Sequence, residues 1–143
     1  MCLTKKKGNK KHLKSATDTI CYKIVLNDGA SDVYISSIRK FEYKVGKKYT
    51  ENCVHLRCLD EYDELNNGVF HSYSLIDRWD LDYIIRFNKD MFPVYSNKFF
   101  ILECIIPAGT PYWAGECYQY ASRVIKVVRA IDPETFPREL CWD

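Results

Sequence analysis

Between Pro111 and Arg123 the chain sets four aromatic rings (Tyr112, Trp113, Tyr118, Tyr120), a glycine and one guanidinium (Arg123) within thirteen positions. Rings of this kind stack on a purine base, while an arginine forks onto its phosphate. The same residues also suit interior packing with tyrosine hydroxyls left at the surface, and both readings stay open. A second group, His71, Ser72 and Tyr73 in Phe-His-Ser-Tyr, stands where a strand gives way to a helix, whose first N–H groups welcome an anion. The candidate ligand-binding set is therefore His71, Ser72, Tyr73, Tyr112, Trp113, Tyr118, Tyr120 and Arg123. The alternative for His71 and its neighbours is a hydrogen-bonded histidine beside a local cap.

Catalytic strings are missing from this pattern: there is no phosphate-binding glycine loop, no dinucleotide fingerprint, no nucleophile elbow and no paired-histidine metalloprotease helix. No residue is assigned a catalytic role, and no cofactor is expected. Of three histidines, His12 falls in a lysine-rich stretch, which leaves acid–base chemistry to very few groups. The seven cysteines form an odd set, several in apolar strand-like runs where cysteine behaves as a small hydrophobe, so reduced buried thiols and a cytoplasmic location are expected. Cys53-Val-His-Leu-Arg-Cys58 lacks the two-residue spacing of a zinc knuckle, and no metal site is expected.

Net charge is +2, unevenly placed. Six lysines and no acid fall within residues 1–17, leaving fifteen basic against nineteen acidic residues in the rest, a net of −4. Such an arm either contacts nucleic-acid phosphates or is a solvated, mobile terminus. No stretch reaches the ~20 apolar residues of a membrane span. Two units follow, a flexible Lys-rich arm over 1–17 and one domain over 18–143.

The elements that must position these groups come from periodicity. Ile20–Leu26 and Val33–Ile35 flank Asn27-Asp28-Gly29, where Asp-Gly supplies the positive φ of a tight turn, so a hairpin is expected. Phe41, Tyr43 and Val45 alternate on one face of a short strand ending at Gly46. Cys53–Leu59 reads as another strand, and 60–68 as an acidic surface loop. Over 75–88, Ile76, Trp79, Tyr83 and Phe87 recur at helical spacing, with Leu75 and Ile84 widening the stripe, Ser74 as cap, and the acids Asp77 and Asp80 complementing the positive end of the helix dipole. Lys98–Ile106 is nearly continuous in apolar residues, hence a central strand buried on both faces, closed by a turn at Pro107–Pro111. Arg123–Ile131 is β-branched throughout, and Phe136, Leu140 and Trp142 form a terminal apolar patch that folds back or meets a partner. The fold class is α+β, a mostly antiparallel, twisted β-sheet with one principal α-helix packed on it.

Taken in order, Cys21-Tyr22-Lys23, Val45-Gly46-Lys47-x-Tyr49, Phe70-His71-Ser72-Tyr73, Ile101-Leu102-Glu103-Cys104-x-Ile106-Pro107-x-Gly109 and Tyr120-Ala121-Ser122 resemble a group of small uncharacterised proteins carried by phages and prophages. The likeness runs over most of residues 20–131. It implies an accessory protein of counter-defence or host takeover, acting in the host cytoplasm. The strand end at Phe-His-Ser-Tyr, the helix after it and the strand closing in Pro-x-Gly are also similar to the ADP-ribosyltransferase fold, with Glu103 and Glu116 as the acidic candidates nearest a catalytic pair. The function expected is non-enzymatic binding that sequesters a small nucleotide-like ligand or blocks a host protein. The alternatives are a nucleotide-acting enzyme of degenerate ADP-ribosyltransferase-like fold and a nucleic-acid binder led by the arm. The sequence leaves the oligomeric state open.

Overall fold

The computed structural model describes residues 3–4, 13–36, 41–51, 64–65 and 70–143. In chain order the elements are β1 (Leu3–Thr4), β2 (Thr19–Asn27), β3 (Tyr34–Ser36), β4 (Glu42–Tyr43), β5 (Lys48–Thr50), β6 (Glu64–Leu65), β7 (Phe70–Tyr73) and β8 (Ile76–Asp77). They continue with α1 (Arg78–Met91), β9 (Lys98–Ile106), β10 (Tyr112–Ala114), β11 (Gln119–Ser122), β12 (Val124–Ile131) and β13 (Cys141–Trp142). The class is α+β: nine strands form one antiparallel sheet in the order β10-β11-β7-β2-β9-β12-β5, with β3 beside β2 and β4 beside β3.

Local chemistry explains the middle of this sheet. β2 pairs with β9 over its whole length, from Thr19 opposite Ile106 to Asn27 opposite Lys98. At the hairpin after β2, Asn27 Oδ1 accepts from Gly29 N at 2.6 Å and Asp28 Oδ1 from Ala30 N and Ser31 N at 2.9 and 2.7 Å, while Gly29 takes φ +86°. The side chains thus hold the turn and β3 returns as the sequence requires, Leu26 opposite Ile35. β9 lies between β2 and β12 and ends at the Pro107–Pro111 turn, where Thr110 N donates to Pro107 O at 3.0 Å.

The sheet curls on itself. β4 and β5 lie on opposite sides of the path β4-β3-β2-β9-β12-β5, yet only Lys44–Lys47 separates them. Gly46 turns there at φ +87° and donates to Val127 O at 2.8 Å, pinning the turn to β12. Right-handed strand twist makes such rolling up natural, and it encloses a core of Cys21, Val25, Phe70, Leu102, Ile125 and Val127. Phe41 and Tyr43 join that core, their rings 4.9 Å apart, but Val45 is exposed because the turn has already begun.

The opposite face of the sheet is covered by α1 and the C-terminal tail. Leu81 and Ile84 pack on Tyr22, Ile101, Ile131 and Phe136. The tail folds back: the Phe136 ring meets Tyr22 edge-on at 5.1 Å, and β13 pairs in parallel with β8. Three ion pairs run from one flank of α1 to this tail, Arg78–Asp143 at 3.3 Å, Asp82–Arg138 at 2.9 Å and Lys89–Glu134 at 3.6 Å. Being exposed, they orient more than they stabilise.

Several expectations are corrected. The helix begins at Arg78, not 75, because Ile76 and Asp77 are drawn into β8 by the tail; Asp77 is the cap, accepting from Trp79 N at 2.8 Å, and Ser74 Oγ donates to Tyr118 O at 3.4 Å instead. The helix also runs past Asn88 to Met91. Of the expected core stripe, Trp79 and Tyr83 are exposed; the aliphatic side, Leu81 and Ile84, is the one buried. The expected loop over 60–68 contains β6, which pairs with β1, and the rest of that loop lies outside the described residues. So does the strand expected at Cys53–Leu59. Within the expected arm, residues 1–2 and 5–12 are likewise outside, whereas Leu13 bridges Tyr112 and Ser15 O accepts from Gly109 N at 2.9 Å.

Candidate functional site

β7, β10 and β11 gather most of the residues that the sequence singles out, and their register divides them. Tyr112 lies opposite Ser122, Trp113 opposite Ala121, Ala121 opposite His71 and Tyr120 opposite Ser72. Because side chains alternate along a strand, Tyr112, Tyr120 and Ser72 share the face toward the enclosed core, while Trp113, His71 and Tyr73 share the other. The Tyr112 and Tyr120 rings meet edge-on at 5.3 Å. Ser72 Oγ is buried beside the Cys21 thiol without a hydrogen-bond partner of ordinary geometry. Trp113 is buried, and His71 contributes its carbonyl to Lys23 Nζ. Arg123 is exposed between β11 and β12, its carbonyl accepting from Glu51 N at 2.8 Å. The structure therefore does not bring the four rings and the guanidinium around one space.

Tyr73 does open onto a cleft, of about 210 Å³, on the helix side of the sheet. Its floor is Ile24 and Ile76; its walls are the Tyr73 and Trp142 side chains; its polar groups are Asp77, Asp80, Gln119 and the Cys117 thiol. Each part has a local reason to be there. Asp77 and Asp80 hold the first turn of α1, where acids offset the positive end of the helix. Trp142 arrives because β13 lies beside β8, with Trp142 opposite Asp77. Gln119 is opposite Tyr73 in the β11–β7 register.

Cys117 and Tyr118 both take left-handed backbone conformations, φ 57° and 59°, in the turn between β10 and β11. For non-glycine residues this costs roughly 1–2 kcal/mol each, so the surrounding bonds must hold the turn. Gly115 N donates to Gln119 O at 2.8 Å and Ser74 N to Tyr118 O at 2.8 Å. The result sets Cys117 at the lip of the cleft and the Tyr118 ring 5.4 Å from that of Trp142.

The electrostatics of the cleft are one-sided. Burial raises the Asp80 carboxyl above its usual range, and the neighbouring Asp77 adds to the rise. Burial also raises the Tyr73 phenol, with Asp80, Asp77 and Cys117 contributing in that order. None of the described residues lining the cleft is basic. Such a space favours a hydrogen-bond donor or a positive group, and opposes a phosphate.

Sequence reasoning placed Asp77 and Asp80 only as acids complementing a helix dipole, and Trp142 only in a terminal patch. Nothing local links them; they meet through a parallel pairing across 65 residues, as Arg78 and Asp143 do beside them. Among the described residues no group of three or more His, Cys, Asp or Glu is placed to hold a metal ion, and no helix is long and apolar enough to cross a membrane. Comparison of the chain with protein-family models, with curated proteins and with solved structures finds no match.

Proposed function

We propose that this chain is a non-enzymatic binding protein of the phage accessory kind, whose cleft takes the planar, amino-bearing part of a small nucleotide-like ligand. The observation that carries this reading is the pairing of aromatic walls, Tyr73 and Trp142, with the acceptors Asp77, Asp80 and Gln119 in one space. A flat heteroaromatic ring stacks on such walls, and carboxylates accept from its exocyclic amine. The volume, about 210 Å³, is below the ~300 Å³ at which ordinary ligand sites begin, so a base enters and its sugar and phosphates stay outside. What favours capture over turnover is that, among the described residues lining the cleft, no histidine stands beside Cys117 to take its proton. Sequestration of a host nucleotide is the role this would serve in counter-defence.

Isothermal titration with nucleosides and the corresponding mono-, di- and cyclic nucleotides tests it. Binding should be as tight for a nucleoside as for its phosphates, be weakened about tenfold or more by Trp142→Ala and by Asp80→Asn, and return the ligand chemically intact. Heat signals that require the phosphate, or none across the whole panel, would overturn the reading.

A further inference from the structure

Independently of that cleft, α1 carries a second apolar stripe, and it faces solvent. Trp79 is 82% exposed and Tyr83 62% exposed, and the stripe continues past the end of the helix through Val94 at 84% and Tyr95 at 53%. The rings are continuous: Tyr83 lies 6.3 Å from Phe87, and Phe87 5.8 Å from Tyr95. Along the same line, one turn apart, stand Arg86 and Asp90, both exposed and without an ion-pair partner among the described residues. This contrasts with Arg78, Asp82 and Lys89, which the C-terminal tail occupies.

We infer that this stripe is the interface with a second copy of the chain, the two α1 helices packing antiparallel about a two-fold axis so that Arg86 of each meets Asp90 of the other. Two features select that occupant. The first is charge: opposite charges at i and i+4 on one line become two reciprocal ion pairs when the line is turned end for end, a complementarity that an isologous interface supplies automatically. The same rotation brings each Tyr83 toward the Val94–Tyr95 turn of the other copy. The helix carries three basic and three acidic residues, Arg78, Arg86 and Lys89 against Asp80, Asp82 and Asp90, so neither a nucleic acid nor an anionic lipid surface is favoured. The second is area. With ~150–250 Å² per aromatic side chain, the exposed parts of the three rings come to roughly 300–500 Å² per copy, to which Val94 adds, so two copies approach the lower limit of ~1,200 Å² for a specific interface.

Sedimentation equilibrium over a concentration series reads the association directly. The wild-type chain should show a monomer–dimer equilibrium. Arg86→Asp and Asp90→Arg should each weaken it by about tenfold or more, because two like-charge contacts replace two ion pairs. The double variant Arg86→Asp/Asp90→Arg should restore it, since the swap rebuilds both pairs with reversed polarity. Val94→Asp, in an exposed turn, should abolish dimerisation with circular dichroism unchanged. A wild-type chain that stays monomeric at ~0.5 mM, a concentration that would populate a dimer of even sub-millimolar affinity, overturns the inference. So does a charge swap that fails to restore association.

Discussion

Cys21 and Cys104 lie directly opposite each other on the central strands β2 and β9, both fully buried, in the core that the curled sheet encloses. Burial pushes the Cys21 thiol up to about 11 and raises that of Cys104 further, against the partial relief from Lys23 that both receive. A thiol held neutral in this way is a packing group, not a nucleophile.

Stability should consequently fall in alkali. Above pH 9 the unfolded chain ionises these thiols while the folded chain keeps them protonated until about 11 for Cys21, so unfolding releases protons. Each such thiol then removes about 1.4 kcal/mol of stability per pH unit through that window. Urea unfolding followed from pH 8 to 10.5 should show this slope, and Cys21→Ala should make it shallower. Maleimide labelling mapped by mass spectrometry at pH 8 should modify exposed Cys117 and spare Cys21 and Cys104; equal labelling of all three would contradict the burial.

Asn88 serves as a missing strand partner. β12 pairs with β9 only as far as Ile101, and beyond it the Asn88 side chain donates to Phe99 O at 2.9 Å and accepts from Phe99 N at 2.7 Å. Asn88→Leu, similar in size and a somewhat better helix former, leaves both main-chain groups unpaired and should still lower the unfolding free energy by about 1–3 kcal/mol. Asn88→Asp should lose the donated bond as well and fall in the same range. A Leu variant of wild-type stability would mean that water replaces the clip.

The two stripes of α1 should respond oppositely to truncation. Leu81→Ala and Ile84→Ala empty space in a closed core and should each cost about 2–5 kcal/mol in chemical denaturation. Trp79→Ala, measured at a concentration where the chain is monomeric, should stay within about 0.5 kcal/mol of wild type. Similar losses at Trp79 and Leu81 would show that the exposed ring is packed.

At Cys117 the backbone sets the outcome. Cys117→Gly removes the penalty of a left-handed conformation but frees the unfolded chain, so its melting temperature should be unchanged or slightly higher. Cys117→Val places a β-branched residue at φ 57° and should lose at least about 1 kcal/mol. Thermal unfolding of the pair gives the sign directly.

Much of the fold is legible locally. The β2–β3 hairpin rests on Asn27, Asp28 and Gly29, whose side chains and positive φ act within four residues. The extent of β9 follows from an apolar run that no helix would carry so uniformly, and the existence of α1, though not its first or last residue, from a 3.6-residue period. These signals survive in the linear chain because each depends on near neighbours.

The candidate site was legible only in part, since the residue types were visible but their faces were not. Tyr112 and Tyr120 are parted from Trp113, His71 and Tyr73 by the parity of the β10–β11–β7 register, and one residue of slip would have exchanged the two sets. Likewise α1 has two apolar stripes, and the sheet selects Leu81 and Ile84 because branched aliphatic side chains fit against Ile101 and Ile131. The cleft of Tyr73, Asp77, Asp80 and Trp142 exists because a two-residue strand from the end of the chain pairs beside β8. Period and turn chemistry thus determine which segments are strand or helix; which side of each is buried depends on surfaces that come from far along the chain, and only the assembled tertiary structure decides it.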